Sequence, residues 1–187
     1  MKKTQTILTV PEAVALLLKG EVIAYPTEAV YGLGCCPHLL PAVEQILLIK
    51  ERPWEKGLIL IAAQASQFAA YADFSQLDER ARSNMMASWP GPNTWVVPAK
   101  PEVSKLLRGT HPTIALRVSA HPVVRALCEK VGGPLVSTSA NRAYESPAVT
   151  LQELEGLEIS GVVEGALGGL SQPTQIRDAM TGALLRE

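Results

Sequence analysis

Short apolar runs alternate along this chain with amphipathic stretches of helical length, and turn residues separate almost every one of them. Residues 10–19 carry the first helical pattern: Pro11 suits a first turn, Glu12 suits the positive end of the helix dipole, and Gly20 stops the run. Val22-Ile23-Ala24-Tyr25 is short and uninterrupted and predicts a buried strand that ends at Pro26, with a loop over 26–34 behind it. Residues 40–50 predict a second helix, with Pro41 near its start, Leu40, Val43 and Leu47 on one face and Pro53 beyond its end. Leu58-Ile59-Leu60-Ile61-Ala62 predicts a second buried strand. Further along, the pattern predicts a helix over 77–86 and strands over 94–97 and 114–118. A helix over 123–131 is closed by Gly132-Gly133. Leu135-Val136-Ser137 predicts a strand running into a polar loop from Thr138, and short late strands fall at 161–163 and 175–177.

Helices interleaved with short apolar strands predict an α/β fold in which helices cover a mostly buried sheet. No repeat, low-complexity tract or linker interrupts the chain, so a single domain over 1–187 is expected. In such folds ligands bind in loops at strand ends. With 47% hydrophobic and 19% charged residues, the composition excludes a disordered chain. A net charge of −1 argues against a dedicated nucleic-acid binder, which carries a strongly basic balance. Cys35, Cys36 and Cys128 have no disulfide-like spacing, and Cys35-Cys36-x-His38 lacks both zinc-knuckle spacing and a second ligand pair. They read as reduced structural cysteines. Met1-Lys2-Lys3 followed by apolar residues resembles a signal segment, but Pro11, Glu12 and Lys19 interrupt the run. No run approaches the roughly 20 apolar residues of a membrane span, so a cytoplasmic protein with no membrane association is expected.

Four segments carry chemistry. The first, Tyr25 to Gly34, combines a proline turn, the Thr27 hydroxyl, the Glu28 carboxylate and Gly32 and Gly34; it is a ligand loop or a plain turn capping a helix. The second, Lys50-Glu51-Arg52-Pro53-Trp54-Glu55-Lys56-Gly57, places three cations just before a buried strand. They suit phosphate oxygens, or a solvated helix end with Glu51 and Glu55 as local neutralisers. The third, Ser137-Thr138-Ser139-Ala140-Asn141, is a dense polar strand end that suits a phosphate or ribose, or an ordinary loop. It lacks the Gly-x-Ser-x-Gly elbow of a serine hydrolase. The fourth is the pair Arg117 and Arg177, each inside an apolar strand; each needs a partner, either a protein carboxylate such as Glu28 or Asp178, or an anionic ligand. There is no Walker loop and no Gly-x-Gly-x-x-Gly, and the glycine-rich stretch 165–169 lacks the Lys-Ser/Thr that follows a phosphate loop.

Taken in order, these segments resemble the YrdC/TsaC family, the threonylcarbamoyl-AMP synthases. The matching blocks are Pro26-Thr27-Glu28-Ala29-Val30-Tyr31-Gly32, then Lys50-x-Arg52-Pro53-x-x-Lys56-Gly57-Leu58-Ile59-Leu60-Ile61, then Trp89-Pro90-Gly91-Pro92. Leu116-Arg117-Val118 with His121-Pro122, Ser137-Thr138-Ser139-Ala140-Asn141 and Gln175-Ile176-Arg177-Asp178 follow. The hallmark of the family, Lys-x-Arg followed by Ser-x-Asn, is present as Lys50/Arg52 and Ser139/Asn141. The length matches the short bacterial form, with no room for the extra C-terminal domain of some members.

The resemblance implies an open twisted mixed β-sheet with flanking helices and a basic concave face. It implies a nucleotidyltransferase that joins L-threonine, bicarbonate and ATP with release of pyrophosphate. Mg²⁺ accompanies the ATP. The threonylcarbamoyl-AMP passes to partner proteins (TsaB, TsaD, TsaE) that modify adenosine 37 of ANN-decoding tRNAs. It further implies Lys50 and Arg52 as the catalytic pair on the phosphates. Ser137, Ser139, Asn141 and Arg177 are expected on the ATP side, and Thr27, Lys56 and Arg117 around threonine and bicarbonate. No protein metal ligands are implied. After Asn141, where many members continue with Ser-Gly, this chain has Arg142-Ala143-Tyr144-Glu145-Ser146-Pro147, so its loop is expected to differ. Two other readings compete. One is a non-catalytic module of the same fold gripping tRNA or double-stranded RNA by its phosphates. The other is a sugar-phosphate enzyme, which would need acidic metal ligands in the Thr27–Glu28 loop.

Overall fold

The structure, a computed structural model, describes residues 4–172 and 174–186; the Met1-Lys2-Lys3 start lies outside them. In chain order the elements are β1 (Ile7–Leu8), α1 (Val10–Leu18), β2 (Ile23–Pro26), β3 (Tyr31–Gly34), α2 (Leu40–Ile49), β4 (Ile59–Ala62) and α3 (Glu79–Ala87). They continue with β5 (Asn93–Pro98), α4 (Lys105–Arg108), β6 (Thr113–Val118), α5 (Pro122–Val131), β7 (Leu135–Ser139), β8 (Val162–Val163), β9 (Gln175–Asp178) and β10 (Leu184–Arg186). The strands form one mixed sheet in the order β1-β8-β2-β3-β7-β4-β6-β5-β9-β10. Parallel pairs (β4 with β6, β5 with β9) stand beside antiparallel ones (β2 with β3, β3 with β7, β4 with β7).

Local chemistry sets the helix ends. Thr9 caps α1 in a capping box with Glu12, its hydroxyl and backbone N–H both donating to the carboxylate at 2.7 and 2.8 Å. Pro122 opens α5 and Gly132, left-handed at φ 80°, closes it. The strands are apolar on both faces because helices cover both. Ala24, Leu60, Ala62 and Val136 pack into the layer that holds α2. Ile23, Tyr25, Ile61 and Leu135 face the layer of α1 and α5. No helix among the described residues is long and apolar enough to cross a membrane.

The predicted elements lie where the pattern put them, with two corrections next to the site. The predicted loop over 26–34 contains β3, which pairs with both β2 and β7. Its glycines gave it a loop-like sequence, yet Gly34 is needed inside the strand. A Cβ there would stand 2.5 Å from the buried Tyr25 ring, whose hydroxyl donates to Val136 O at 3.2 Å. The predicted polar loop from Thr138 is likewise strand: Thr138 and Ser139 pair with Leu33 and Gly32. The edge strands β1 and β10 and the one-turn α4 had too few residues to show a period.

Candidate active site

The strands β3, β7, β4 and β6 meet below a cleft of about 290 Å³ lined by Thr27, Lys50, Arg52, Arg117, Ser137, Thr138, Ser139, Pro147, Thr174 and Arg186, among others. Two cations reach it through a helix end. Lys50 caps α2, and Glu51 follows in the left-handed region at φ 48°. Glu51 N donates to Leu48 O at 3.0 Å and Arg52 N to Leu47 O at 2.9 Å, the paired bonds of a Schellman turn. The turn sends the two side chains apart. Lys50 Nζ donates to Ser139 O at 2.8 Å, Ser139 Oγ at 3.2 Å and Asn141 Oδ1 at 2.5 Å. Arg52 Nε donates to Gly57 O at 3.0 Å. Burial, and then the nearby Arg52 charge, push the Lys50 ammonium down to about 8. Burial and then Arg186 lower Arg52.

The turn between β2 and β3 is closed by Thr27, whose N–H and hydroxyl both donate to Val30 O, at 3.2 and 2.7 Å. Glu28 reaches the segment that leads into α5. Its Oε2 pairs with Arg117 Nη1 at 3.1 Å, and its Oε1 accepts from Ser119 Oγ at 2.6 Å and Ala120 N at 3.2 Å. This settles the open question about Arg117: its protein partner is Glu28. Burial lowers the guanidinium, and Glu28 opposes that shift. Arg117 is fixed in place by Glu28 and lines the cleft. Asp178 has a different task, accepting from Met180 N at 2.8 Å and Thr181 N at 3.0 Å in the turn to β10.

Lys50, Arg52, Ser137, Ser139, Thr27 and Arg117 are therefore brought together, and Asn141 joins them through Lys50. Lys56 stands one step away, in an adjoining hollow of about 430 Å³ that shares Arg52, Leu58, Ile59 and Arg186 with the cleft and adds Arg108 and His111. Arg177 is not among the described residues that line the cleft. Ile176 and Asp178 of β9 line that hollow, and Arg177 between them alternates to the opposite face. Among the described residues its side chain makes only long hydrogen bonds, to Gly182 O at 3.5 Å and Gln175 Oε1 at 3.4 Å. The arginine that reaches the cleft from this edge is Arg186 of β10, which sequence reasoning missed. Leu184-Leu185-Arg186 repeats the apolar-run-plus-Arg signal that drew attention to Arg117. The loop that departs from the family pattern closes on itself, with Asn141 Nδ2 donating to Glu145 O at 2.6 Å and Arg142 N to Glu145 Oε2 at 3.1 Å; Pro147 then reaches the cleft wall.

The arrangement suits an anionic, oxygen-rich ligand. Its lining offers cations and hydroxyls, with no histidine and no carboxylate among the described residues. Ser139 Oγ donates to Asn141 Oδ1 at 2.7 Å, an acceptor unable to take up its proton. Among the described residues no three of His, Cys, Asp and Glu are grouped as metal ligands. The site can position phosphates and stabilise charge developing on them.

Known proteins place this geometry in a family. A sequence model of the Sua5/YciO/YrdC family, described as "Telomere recombination", matches residues 15–187. The chain is 50% identical over 182 residues to a protein of Stenotrophomonas maltophilia (strain K279a) named threonylcarbamoyl-AMP synthase, covering 96% of this chain and 98% of that one. It is 50% identical over 181 residues to a protein of the same name from Hahella chejuensis (strain KCTC 2396), with 95% and 97% coverage. Among solved structures, P. abyssi Sua5 complexed with L-threonine superposes with a TM-score of 0.85 at 26% identity over 92% of this chain, which spans 54% of that longer protein. E. coli YciO superposes with a TM-score of 0.81 at 28% identity, over 95% of this chain and 88% of that one. On this sequence match and this fold, the chain belongs to the Sua5/YciO/YrdC family.

Proposed function

We propose that this protein is a threonylcarbamoyl-AMP synthase. The observation that carries the reading is the cation cluster: Lys50 held on Ser139 and Asn141, beside Arg52, with Arg117 fixed by Glu28 across the same cleft. The names of its half-identical relatives and the threonine bound to its Sua5 neighbour support the choice of substrates.

In this reading the threonine amine adds to bicarbonate, water leaves, and a carbamate forms. A carbamate oxygen then attacks the α-phosphorus of ATP, the bond to the bridging oxygen breaks, and pyrophosphate departs. Negative charge grows on the α-phosphoryl and pyrophosphate oxygens, so catalysis is positioning plus charge stabilisation. Lys50 and Arg52 take the phosphates. The three donors of Lys50 already have protein acceptors, so a phosphate oxygen replaces one of them on binding. Ser137 and Ser139 line the nucleotide side together with Arg186, and Asn141 stands behind them on Lys50. Arg117 neutralises the carboxylate or carbamate, and Thr27 lies against threonine; Lys56 acts from the adjoining hollow. Mg²⁺ comes as part of the nucleotide substrate, on its phosphates.

The product is a mixed anhydride, reactive towards amines, which suits handing on to tRNA-modifying partners such as TsaB, TsaD and TsaE. The buried free thiols of Cys35, Cys36 and Cys128 are consistent with a reducing, cytoplasmic setting. Lys50→Ala and Arg52→Ala should each lower kcat/KM for ATP by more than about tenfold, roughly 1.4 kcal/mol of transition-state stabilisation. Unchanged kinetics in both folded variants would contradict the assignment.

A further inference from the structure

The buried polar chain behind the cleft continues past Arg117 and Glu28. Ser119, which donates to Glu28, accepts from His121 N at 3.0 Å. The His121 ring uses both nitrogens. Nδ1 accepts from Val123 N at 3.2 Å and so caps α5. A backbone N–H only donates, which puts the ring proton on Nε2, 2.9 Å from Ala166 O. Arg117, Glu28, Ser119 and His121 are all buried.

Ala166 lies in the glycine-rich stretch that has no phosphate-loop signature, and that stretch runs along the Thr27 turn. Gly168 N donates to Thr27 O at 2.9 Å and Leu170 N to Glu28 O at 3.0 Å. The approach is close: a Cβ on Gly168 would stand 2.8 Å from Glu28 Cα and 2.9 Å from its carbonyl oxygen.

We propose that residues 164–170 are a clasp that holds the Thr27 turn, and through Glu28 also Arg117, in position for substrate, and that His121 is the positioning residue that pins the clasp. The inference rests on the functional reading above for its substrate, threonine. His121 touches no substrate; its ring acts through Ala166 O, while its backbone N–H holds Ser119.

The two ring nitrogens can be tested separately. His121→Asn keeps an acceptor that caps α5 but is too short to reach Ala166 O. His121→Gln extends a donor about as far as Nε2 but gives up the cap. In steady-state pyrophosphate release, H121N should raise KM for threonine about fivefold or more, with kcat and KM for ATP within about twofold of wild type. H121Q should keep the threonine KM near wild type while its melting temperature falls. Gly168→Ala, which pushes the clasp off the turn, should repeat the H121N pattern. A wild-type threonine KM in both folded H121N and folded G168A overturns the proposal. If the wild-type protein itself shows no threonine-dependent release, the functional reading fails and hydrogen exchange decides the clasp alone. Faster exchange over residues 27–31 in H121N, with α5 protected as in wild type, supports it; unchanged exchange there overturns it.

Discussion

Lys50 is the side chain on which most of the site depends, and its environment makes a pH prediction. Burial and then the Arg52 charge disfavour its ammonium and push it down to about 8 in the fold, from the ordinary lysine value of 10.5. If the ammonium binds phosphate, kcat/KM for ATP should fall as pH rises through about 8. Arg52→Gln removes the neighbouring charge and should move that falling limb to higher pH, while lowering the rate. A limb at the same pH in R52Q would contradict the coupling. The sign for stability is opposite. Between about 8 and 10.5 the unfolded chain holds this proton more tightly than the folded one, so this group's contribution to stability rises with pH across that window. Much of the site was legible at this scale, because cations and hydroxyls at the ends of apolar runs are costly unless used. The place of Arg186 in the cleft lining was not. Arg177 and Arg186 both sit in short strands near the chain end, and in a strand a one-residue shift of phase turns a side chain to the other face.

At the scale of elements, the connection from α2 to β4 aims the two cations. Its Schellman turn puts Glu51, a residue with a Cβ, at φ 48°, where glycine is favoured. Glu51 is exposed and makes no side-chain hydrogen bond among the described residues, so its strain is not repaid by a contact. Glu51→Gly should therefore stabilise the protein by about 0.5–1 kcal/mol, the relief of the left-handed strain less the added chain entropy of glycine. Urea denaturation checks this: a higher midpoint at unchanged slope is expected, and a lower one would mean that Glu51 contributes through an interaction the geometry lacks. Element type was legible for α1, α2, α5 and β4 because proline, glycine and apolar period agree there. It failed at β3, where Tyr31-Gly32-Leu33-Gly34 has the glycines of a loop. Those glycines answer to the Tyr25 ring, a tertiary contact that no local window contains.

Across the whole molecule, helices on both faces of one mixed sheet leave the cleft where β3, β7, β4 and β6 come together. Residues far apart in sequence, from Thr27 to Arg186, converge there on a chain whose net charge is −1. The global charge therefore gave no sign of the site. Its basic character is local, and it argues for a small anionic substrate over the long phosphate track that a nucleic-acid module needs. The fold class followed from the alternation of helices and strands, whereas the strand order came from pairings across the chain that no local pattern records. The central claim is tested most directly by pyrophosphate release from ATP by the purified protein, with L-threonine and bicarbonate each present or omitted. Release that requires both is the predicted result. No release under any combination from a folded protein would contradict it and favour the RNA-binding module of the same fold.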